Sequence, residues 1–248
     1  METQNTELTV GELVANDYRT ADVFRKYGID FCCGGKKPLS KVCVEKGIDF
    51  QSVENDLKEI EKIKTLPSQN FNNWDIDFLA DYIINTHHAY INNNLEIISQ
   101  YLEKVAKVHG HAYTETVKIF ELWKQVVNDL KSHMMKEEKI LFPYIKQMMK
   151  IKKENSNFSS PGFGTVQNPV RIMEHEHDVV GDLVKEIQRL SNNFNQHEEA
   201  CNTYRVSYAK LNEFAQDLFT HIHLENNILF PKAIALEKIL NKEIATAE

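Results

Sequence analysis

The chain has 248 residues, of which 42% are hydrophobic and 26% are charged, and this composition is typical of a globular protein that buries a core. Its net charge of -7 comes without any basic run, which argues against a nucleic-acid partner. No stretch approaches the ~20 apolar residues of a membrane helix, and we expect neither a membrane partner nor a signal peptide. The four cysteines form no disulfide framework, and reduced thiols favour a cytoplasmic location.

The first region, residues 1–63, is predicted to be a small domain of short helices. Thr9 and Glu12 have the spacing of a capping box, which would open the first helix. Gly28 and Gly47 each begin the tetrapeptide Gly-Ile-Asp-Phe, and both stand where a helix should end. A domain of this size is only marginally stable by itself.

The second region, residues 74–248, follows a polar stretch at 64–73 that is predicted to be a linker. It carries four long amphipathic segments, near residues 75–107, 114–150, 169–191 and 200–240. Four long helices with short connections predict an antiparallel four-helix bundle, so the predicted fold class is all-α.

The second region contains an internal repeat with histidine and glutamate residues that could bind metal. The segment His133-Met-Met-Lys-Glu137-Glu-Lys-Ile-Leu-Phe-Pro143 recurs 88 positions later as His221-Ile-His-Leu-Glu225-Asn-Asn-Ile-Leu-Phe-Pro231. Both copies share His-x-x-x-Glu-x-x-Ile-Leu-Phe-Pro, and helical residues four apart lie on one face, close enough to bind one centre. A match of six positions at fixed spacing indicates duplication of a helix pair.

Each copy should supply a further ligand from its first helix. His87 and His177 are 90 positions apart, close to the 88-residue offset of the repeat. Both continue the apolar stripe of their helix. Polar groups inside a core are costly unless something compensates them, and metal ions would do so. The predicted metal ligands are therefore His87, His133, Glu137, His177, His221 and Glu225. The remaining histidines are predicted to be surface residues or supports for the ligands: His88, His109, His111, His175, His197 and His223.

The type of ligand indicates which metal would bind. Two carboxylates and four imidazoles suit a carboxylate-bridged pair of iron or manganese ions better than a structural zinc ion. Ferritin-like proteins use Glu-x-x-His on two helices, but only Glu174 and His177 match that motif here, so we set that class aside.

The ligand pattern resembles that of a hemerythrin-like domain. Oxygen-carrying hemerythrins have a fifth histidine four residues after a third-helix ligand, where this sequence has Gly181, and His-x-x-x-x-Asp on the last helix, where it has His-x-x-x-Glu. Once Asp30-Phe-Cys-Cys-Gly-Gly35 is added, nearly the whole chain resembles the repair-of-iron-centres family of bacterial di-iron proteins. The motifs that carry this resemblance in the bundle are Ser132-His-Met-Met-Lys-Glu-Glu138 and Leu224-Glu-Asn-Asn-Ile-Leu-Phe-Pro231.

The resemblance implies a cofactor of two iron ions with oxo and carboxylate bridges. In it, His87, His133, His177 and His221 would be terminal ligands, while Glu137 and Glu225 would bridge. Glu176 would add negative charge near the centre and ease iron loss.

The resemblance also implies a function in the stress response: repair of iron–sulfur clusters damaged by nitric oxide or oxidative stress. The protein would donate iron to damaged or apo iron–sulfur proteins. Two alternatives stay open. One is an enzyme that reduces nitric oxide or peroxide at the di-iron centre, and the other is a sensor of oxygen or nitric oxide. The sequence also leaves a homodimer open.

The vicinal pair Cys32 and Cys33 is predicted to be a second functional site. Two glycines and two lysines follow it (34–37), and nearby positive charge favours the thiolate form. A thiolate pair could receive iron, exchange disulfides or sense nitric oxide. Alternatively, two small residues close a tight turn. Cys43 and Cys201 are predicted to be ordinary buried cysteines.

Overall fold

The computed structural model describes residues 8–61, 70–159, 161–198 and 200–247. Over these ranges the chain is helical without strands, apart from one isolated β-bridge between Thr9 and Pro38. The predicted all-α fold class is therefore confirmed. Among the same residues, no helix is both long and apolar enough to cross a membrane.

The N-terminal region consists of four short helices: α1 (Val10–Asn16), α2 (Thr20–Lys26), α3 (Leu39–Lys46) and α4 (Phe50–Glu61). At α1, the Thr9 side chain accepts a hydrogen bond from the Glu12 amide, and the Glu12 carboxylate accepts one from the Thr9 amide, which completes the predicted capping box. Gly28 and Gly47, with φ of 63° and 66°, take the left-handed conformation after α2 and α3.

Four long helices form the bundle. Helix α5 consists of the consecutive segments Ile76–Ile83, Ile84–His88 and Ala89–His109. Helix α6 consists of Glu115–Lys136, Glu137–Leu141 and Phe142–Glu154, and α7 is Gln167–Leu190. Helix α8 consists of Asn202–Leu224, Glu225–Leu229 and Phe230–Ala247. Helix α5 packs against α6 and α8, and α7 packs against the same two helices. The four helices thus close on themselves around a common interior.

Most of the predicted linker lies outside the described residues, since residues 62–69 are not among them. Its last part, Phe71–Asn73, forms a single 3-10 turn before α5. The division into domains at 63 and 74 therefore stays a prediction.

The bundle interior holds two apolar cores with a buried polar layer between them. One core contains Leu130, Val184 and Leu218, and the other contains Leu79, Ile145 and Phe230. The first core also includes Val10, Phe24 and Val53 of the N-terminal helices. These helices therefore bury their apolar faces together with the bundle, which relieves the marginal stability expected of so small a unit.

Polar contacts hold the N-terminal loop against the bundle near Cys32 and Cys33. The carboxylate of Asp30 accepts a hydrogen bond from the Lys185 ammonium on α7 at 2.7 Å. The Asn227 amide on α8 donates to the carbonyl oxygen of Phe31 at 3.1 Å. The loop is thus fixed to the two helices that carry the second copy of the repeat.

Candidate metal centre

Three π-helical turns interrupt the bundle helices, and each contains residues of the buried polar layer. They are Ile84–His88 on α5, Glu137–Leu141 on α6 and Glu225–Leu229 on α8. A π turn accommodates one extra residue within a helix and is frequent at functional sites. The residues that follow such a turn are rotated relative to a plain α-helical stripe.

Two groups of buried side chains have ligand atoms within 4.8 Å of one another. One group is His88, Glu137, His221 and Glu225, and the other is His133, Glu137, His177 and Glu225. Both carboxylates belong to both groups. All of these side chains are almost completely buried, and the two glutamates are 0% exposed.

The structure brings five of the six predicted ligands together, but on α5 it places His88 in the group where the sequence prediction had His87. The π turn at Ile84–His88 gives the physical reason. The apolar stripe through Leu79 and Ile83 continues five residues later, at His88, rather than four residues later. His88 is therefore not a surface residue, since it is 1% exposed. His87 is also buried, beside the group, where its Nδ1 lies 2.9 Å from Asp217.

Each carboxylate lies between one histidine of each group. The Oε2 atom of Glu137 is 3.4 Å from Nε2 of His88 and 3.2 Å from Nε2 of His133. The Glu225 carboxylate is 3.0 Å from Nε2 of His221 and 3.1 Å from Nε2 of His177. This is the arrangement that carboxylates bridging two metal ions would need.

Three of the four imidazoles are oriented by a partner at Nδ1. His88 contacts Glu138 at 2.8 Å, His133 contacts Glu176 at 2.9 Å, and His177 contacts Asn226 at 2.8 Å. A ring that donates its Nδ1–H to an oxygen leaves the Nε2 lone pair free for a metal ion. Nδ1 of His221 has no hydrogen-bond partner in the part of the chain that the structure describes.

The donor atoms fit a pair of metal ions. Nε2 of His88 lies 3.2 Å from Nε2 of His221, and Nε2 of His133 lies 2.9 Å from Nε2 of His177. Two nitrogen ligands at right angles and about 2.1 Å from one ion are about 3.0 Å apart. Among the described residues, neither oxygen of Glu137 has a hydrogen-bond partner, although Oε2 lies close to two imidazoles, and bound cations would relieve the cost of burying this carboxylate.

Neighbouring charges in this site shift one another's pKa values. Burial and the negative charge of Glu225 would raise the pKa of Glu137, but His133 and His88 outweigh them and lower it. Burial would lower the pKa of His133, but Glu137 and Glu176 outweigh burial and raise it to about 10. Burial lowers the pKa of His221. Two ionised carboxylates at the centre are thus compensated by positive charge from the surrounding rings, a role that cations could take over.

Two residues that were not predicted to belong to the site hold candidate ligand rings. Glu138 and Asn226 directly follow Glu137 and Glu225, so they occupy equivalent positions of the repeat. Each holds Nδ1 of the first-helix histidine of its own copy, His88 or His177. The repeat therefore contained a usable signal, because the residue after each motif glutamate is polar and lies within the π turn.

The other histidines differ in their surroundings. His175 is exposed, as predicted. His223 is 2% exposed rather than at the surface, and burial lowers its pKa to about 3. Its Nδ1 contacts Asn227 at 3.0 Å, and it lies outside both groups of candidate ligands. The histidines at 109, 111 and 197 lie at the far end of the bundle, and none of them is buried.

Cys32 and Cys33 lie on a loop against α7 and form a third group with Asp30. The Asp30 carboxylate accepts hydrogen bonds from both cysteine amides, at 3.0 and 3.1 Å. The two Sγ atoms are 3.8 Å apart. Sγ of Cys33 lies 3.6 Å from the carbonyl oxygen of His177, and a Cβ added to Gly181 would lie 3.2 Å from the same sulfur.

The predicted thiolate character does not hold for Cys32. The hydrogen bond to Cys33 and burial raise the pKa of the Cys32 thiol well above its usual value. The two lysines that suggested a thiolate are paired elsewhere, Lys36 with Glu174 at 2.9 Å and Lys37 with Glu45 at 2.6 Å. All four cysteines are free thiols; Cys43 is buried as predicted, whereas Cys201 is exposed.

Comparison with known proteins identifies a cation-binding domain in the bundle. Residues 79–233 match the hemerythrin HHE cation binding domain, and residues 6–61 match ScdA_N, a domain of unknown function. Iron-sulfur cluster repair proteins YtfE from Escherichia coli and Shigella boydii are 35% identical to the chain, and that from Citrobacter koseri is 34% identical. Each comparison covers 92% of this chain and 97% of the relative. The chain therefore belongs to the YtfE family of iron-sulfur cluster repair proteins and contains a hemerythrin HHE cation-binding domain.

Proposed function

We propose that the buried groups hold two iron ions bridged by Glu137 and Glu225. His88 and His221 would complete the first iron site, and His133 and His177 would complete the second. The main support is that both carboxylates contact one histidine of each group. Mixed imidazole and carboxylate ligands suit iron. The oxo bridge implied by the family resemblance would add a further ligand to each ion.

We further propose that the protein repairs iron–sulfur clusters by donating this iron. The names of its relatives support the repair function. The partners would be iron–sulfur proteins in the cytoplasm whose clusters nitric oxide or oxidants have damaged. A donor must bind iron yet release it, and the partly exposed carboxylates of Glu138 and Glu176, which hold two of the rings, lie between the buried centre and solvent.

The thiols of Cys32 and Cys33 would take part in the passage of iron. Together with Asp30 they form a small group of metal-binding atoms in contact with the backbone of His177. A soft thiolate ligand favours iron in cluster chemistry. Because the pKa of Cys32 is raised, an arriving cation would have to displace its proton.

Transfer of iron to an acceptor tests this function. Anaerobically purified protein should contain about two irons per chain and should pass them to an apo-ferredoxin, whose cluster absorbance would then return in the presence of sulfide and reductant. Glu137→Gln should carry little iron and restore little absorbance, whereas Glu121→Gln, an exposed site on the same helix, should behave as the wild type. Iron that remains bound during the incubation would overturn the donor function.

A further inference from the structure

The two halves of the centre differ in how their ligand rings are held. In the His133–His177 half, both rings have an oxygen partner at Nδ1. In the other half, Nδ1 of His221 is buried without one. Loss of such a partner typically weakens metal binding about 10- to 100-fold. The iron in the His88–His221 half should therefore leave first.

The repeat explains this difference. Glu176 directly precedes the ligand His177, and its carboxylate holds Nδ1 of His133 and pairs with Lys136. The residue that directly precedes the ligand His88 is His87. An imidazole thus stands at the position where the other copy has a carboxylate.

The imidazole of His87 is oriented in the same way as those of the candidate metal ligands. Its Nδ1 lies 2.9 Å from the Asp217 carboxylate, while its Nε2 is buried and contacts no hydrogen-bond partner among the described residues. The ring is parallel to that of His221 within 6°, with the centroids 5.7 Å apart. The second oxygen of Asp217 is likewise buried, with no hydrogen-bond partner within the described ranges. Several buried polar atoms without a described hydrogen-bond partner therefore lie beside this half of the centre. Each of them lowers the stability of the fold unless a cation or a water molecule is bound there.

We propose that His87, supported by Asp217, is an outer iron ligand that receives the ion of the His88–His221 half as it leaves the centre. The side chain of Asp217 is 21% exposed, whereas that of His87 is 6% exposed, so the pair connects the buried site with solvent. This proposal rests on the proposed function, because it assigns the route by which the donated iron of the His88–His221 half departs. The thiols of Cys32 and Cys33 lie beside His177, in the other half.

Kinetics of iron removal test the route without any acceptor protein. The full-length di-ferrous protein is mixed anaerobically with excess ferrozine, and the coloured ferrous complex is recorded over time. The wild type should lose its iron in two phases of similar amplitude. His87→Gln should still hold two irons per chain, but its fast phase should be about tenfold slower, with the slow phase unchanged. Asp217→Asn should slow the same phase by a smaller factor.

Two further variants assign the phases. Glu176→Ala removes the oxygen that His133 contacts through Nδ1, so it should accelerate the slow phase and leave the fast phase unchanged. This is the opposite of the easier iron loss that the family resemblance implies for the Glu176 carboxylate. His175→Gln, at an exposed histidine on α7, should alter neither phase. A single phase in the wild type, unchanged kinetics in both His87→Gln and Asp217→Asn, or one iron per chain in His87→Gln would each overturn the outer-ligand assignment. If both phases behave as expected but the released iron does not rebuild an apo-ferredoxin, the outer ligand stands and the donor function fails.

Discussion

The side-chain amide of Asn227 lies 3.1 Å from the carbonyl oxygen of Phe31, to which it donates a hydrogen bond. Asn227 belongs to the π turn that begins with Glu225, and Phe31 directly precedes Cys32. One side chain thus joins the segment of a candidate bridging ligand to the loop that carries the vicinal cysteines.

Asn227→Ala should lower the free energy of unfolding by about 1–2 kcal/mol, because the Phe31 carbonyl and the His223 ring both lose a partner. The melting temperature should then fall by about 2–8 °C in a circular dichroism experiment. Iron content should not change, since Asn227 holds no ligand. Asn92→Ala, at an exposed position of α5, serves as the control and should melt as the wild type does. Equal melting temperatures for the two variants would contradict the role of this contact.

Glu137→Gln should remove the stabilisation that iron gives. At an iron concentration of 100 times Kd, one bound ion stabilises the native protein by about 2.7 kcal/mol. The variant should lose most of this gain, because the neutral amide is a poor bridge. Without metal, it should be somewhat less stable than the wild type, since His133 and His88 outweigh the repulsion from Glu225 and favour the ionised Glu137 carboxylate, which the amide cannot replace. Melting curves with and without added iron, together with those of Glu121→Gln, measure both effects, and an iron-dependent rise in Glu137→Gln would refute them.

His88→Gln and His87→Gln should differ in iron content. His88 lies within the candidate metal group and His87 lies beside it, so His88→Gln should bind about one iron per chain while His87→Gln keeps two. Metal analysis of the anaerobically purified variants measures the difference. The opposite order would mean that the π turn at Ile84–His88 does not set the register of α5.

Gly181→Ala should couple energetically to Cys33. The helix gains about 1 kcal/mol from alanine in place of glycine, but the new Cβ would lie 3.2 Å from the Cys33 sulfur. We therefore expect Gly181→Ala to stabilise the Cys33→Ala protein by about 1 kcal/mol and the wild type by less or not at all. Urea unfolding of all four proteins completes the double-mutant cycle. Additive effects would show that the cysteine loop does not rest on α7 at this point.

The helices and most of the candidate site could be predicted from the sequence, because amphipathic periodicity and capping residues are local signals. The Thr9 capping box and the left-handed Gly28 and Gly47 followed from such signals. The 88-residue repeat likewise identified His133, Glu137, His221 and Glu225, which the structure brings together.

The register of α5 could not be predicted in this way. A π turn inserts one residue without any characteristic sequence, so counting in steps of three and four selected His87 instead of His88. The repeat slightly favoured His88, because His88 lies 89 positions before His177 and His87 lies 90 positions before it, whereas the two motifs are 88 positions apart. The buried state of His223 depends on the docked N-terminal loop, where Phe31 packs edge-on against its ring, and no local pattern reports such a long-range contact.

Gly181 also limits which side chains the bundle can carry next to the cysteine loop. Oxygen-carrying hemerythrins, which the bundle resembles, place a fifth histidine at the corresponding position, but here that space borders the Cys33 thiol. An imidazole and the cysteine loop cannot occupy it together. A related chain with a histidine at this position would therefore have to place its cysteine loop elsewhere.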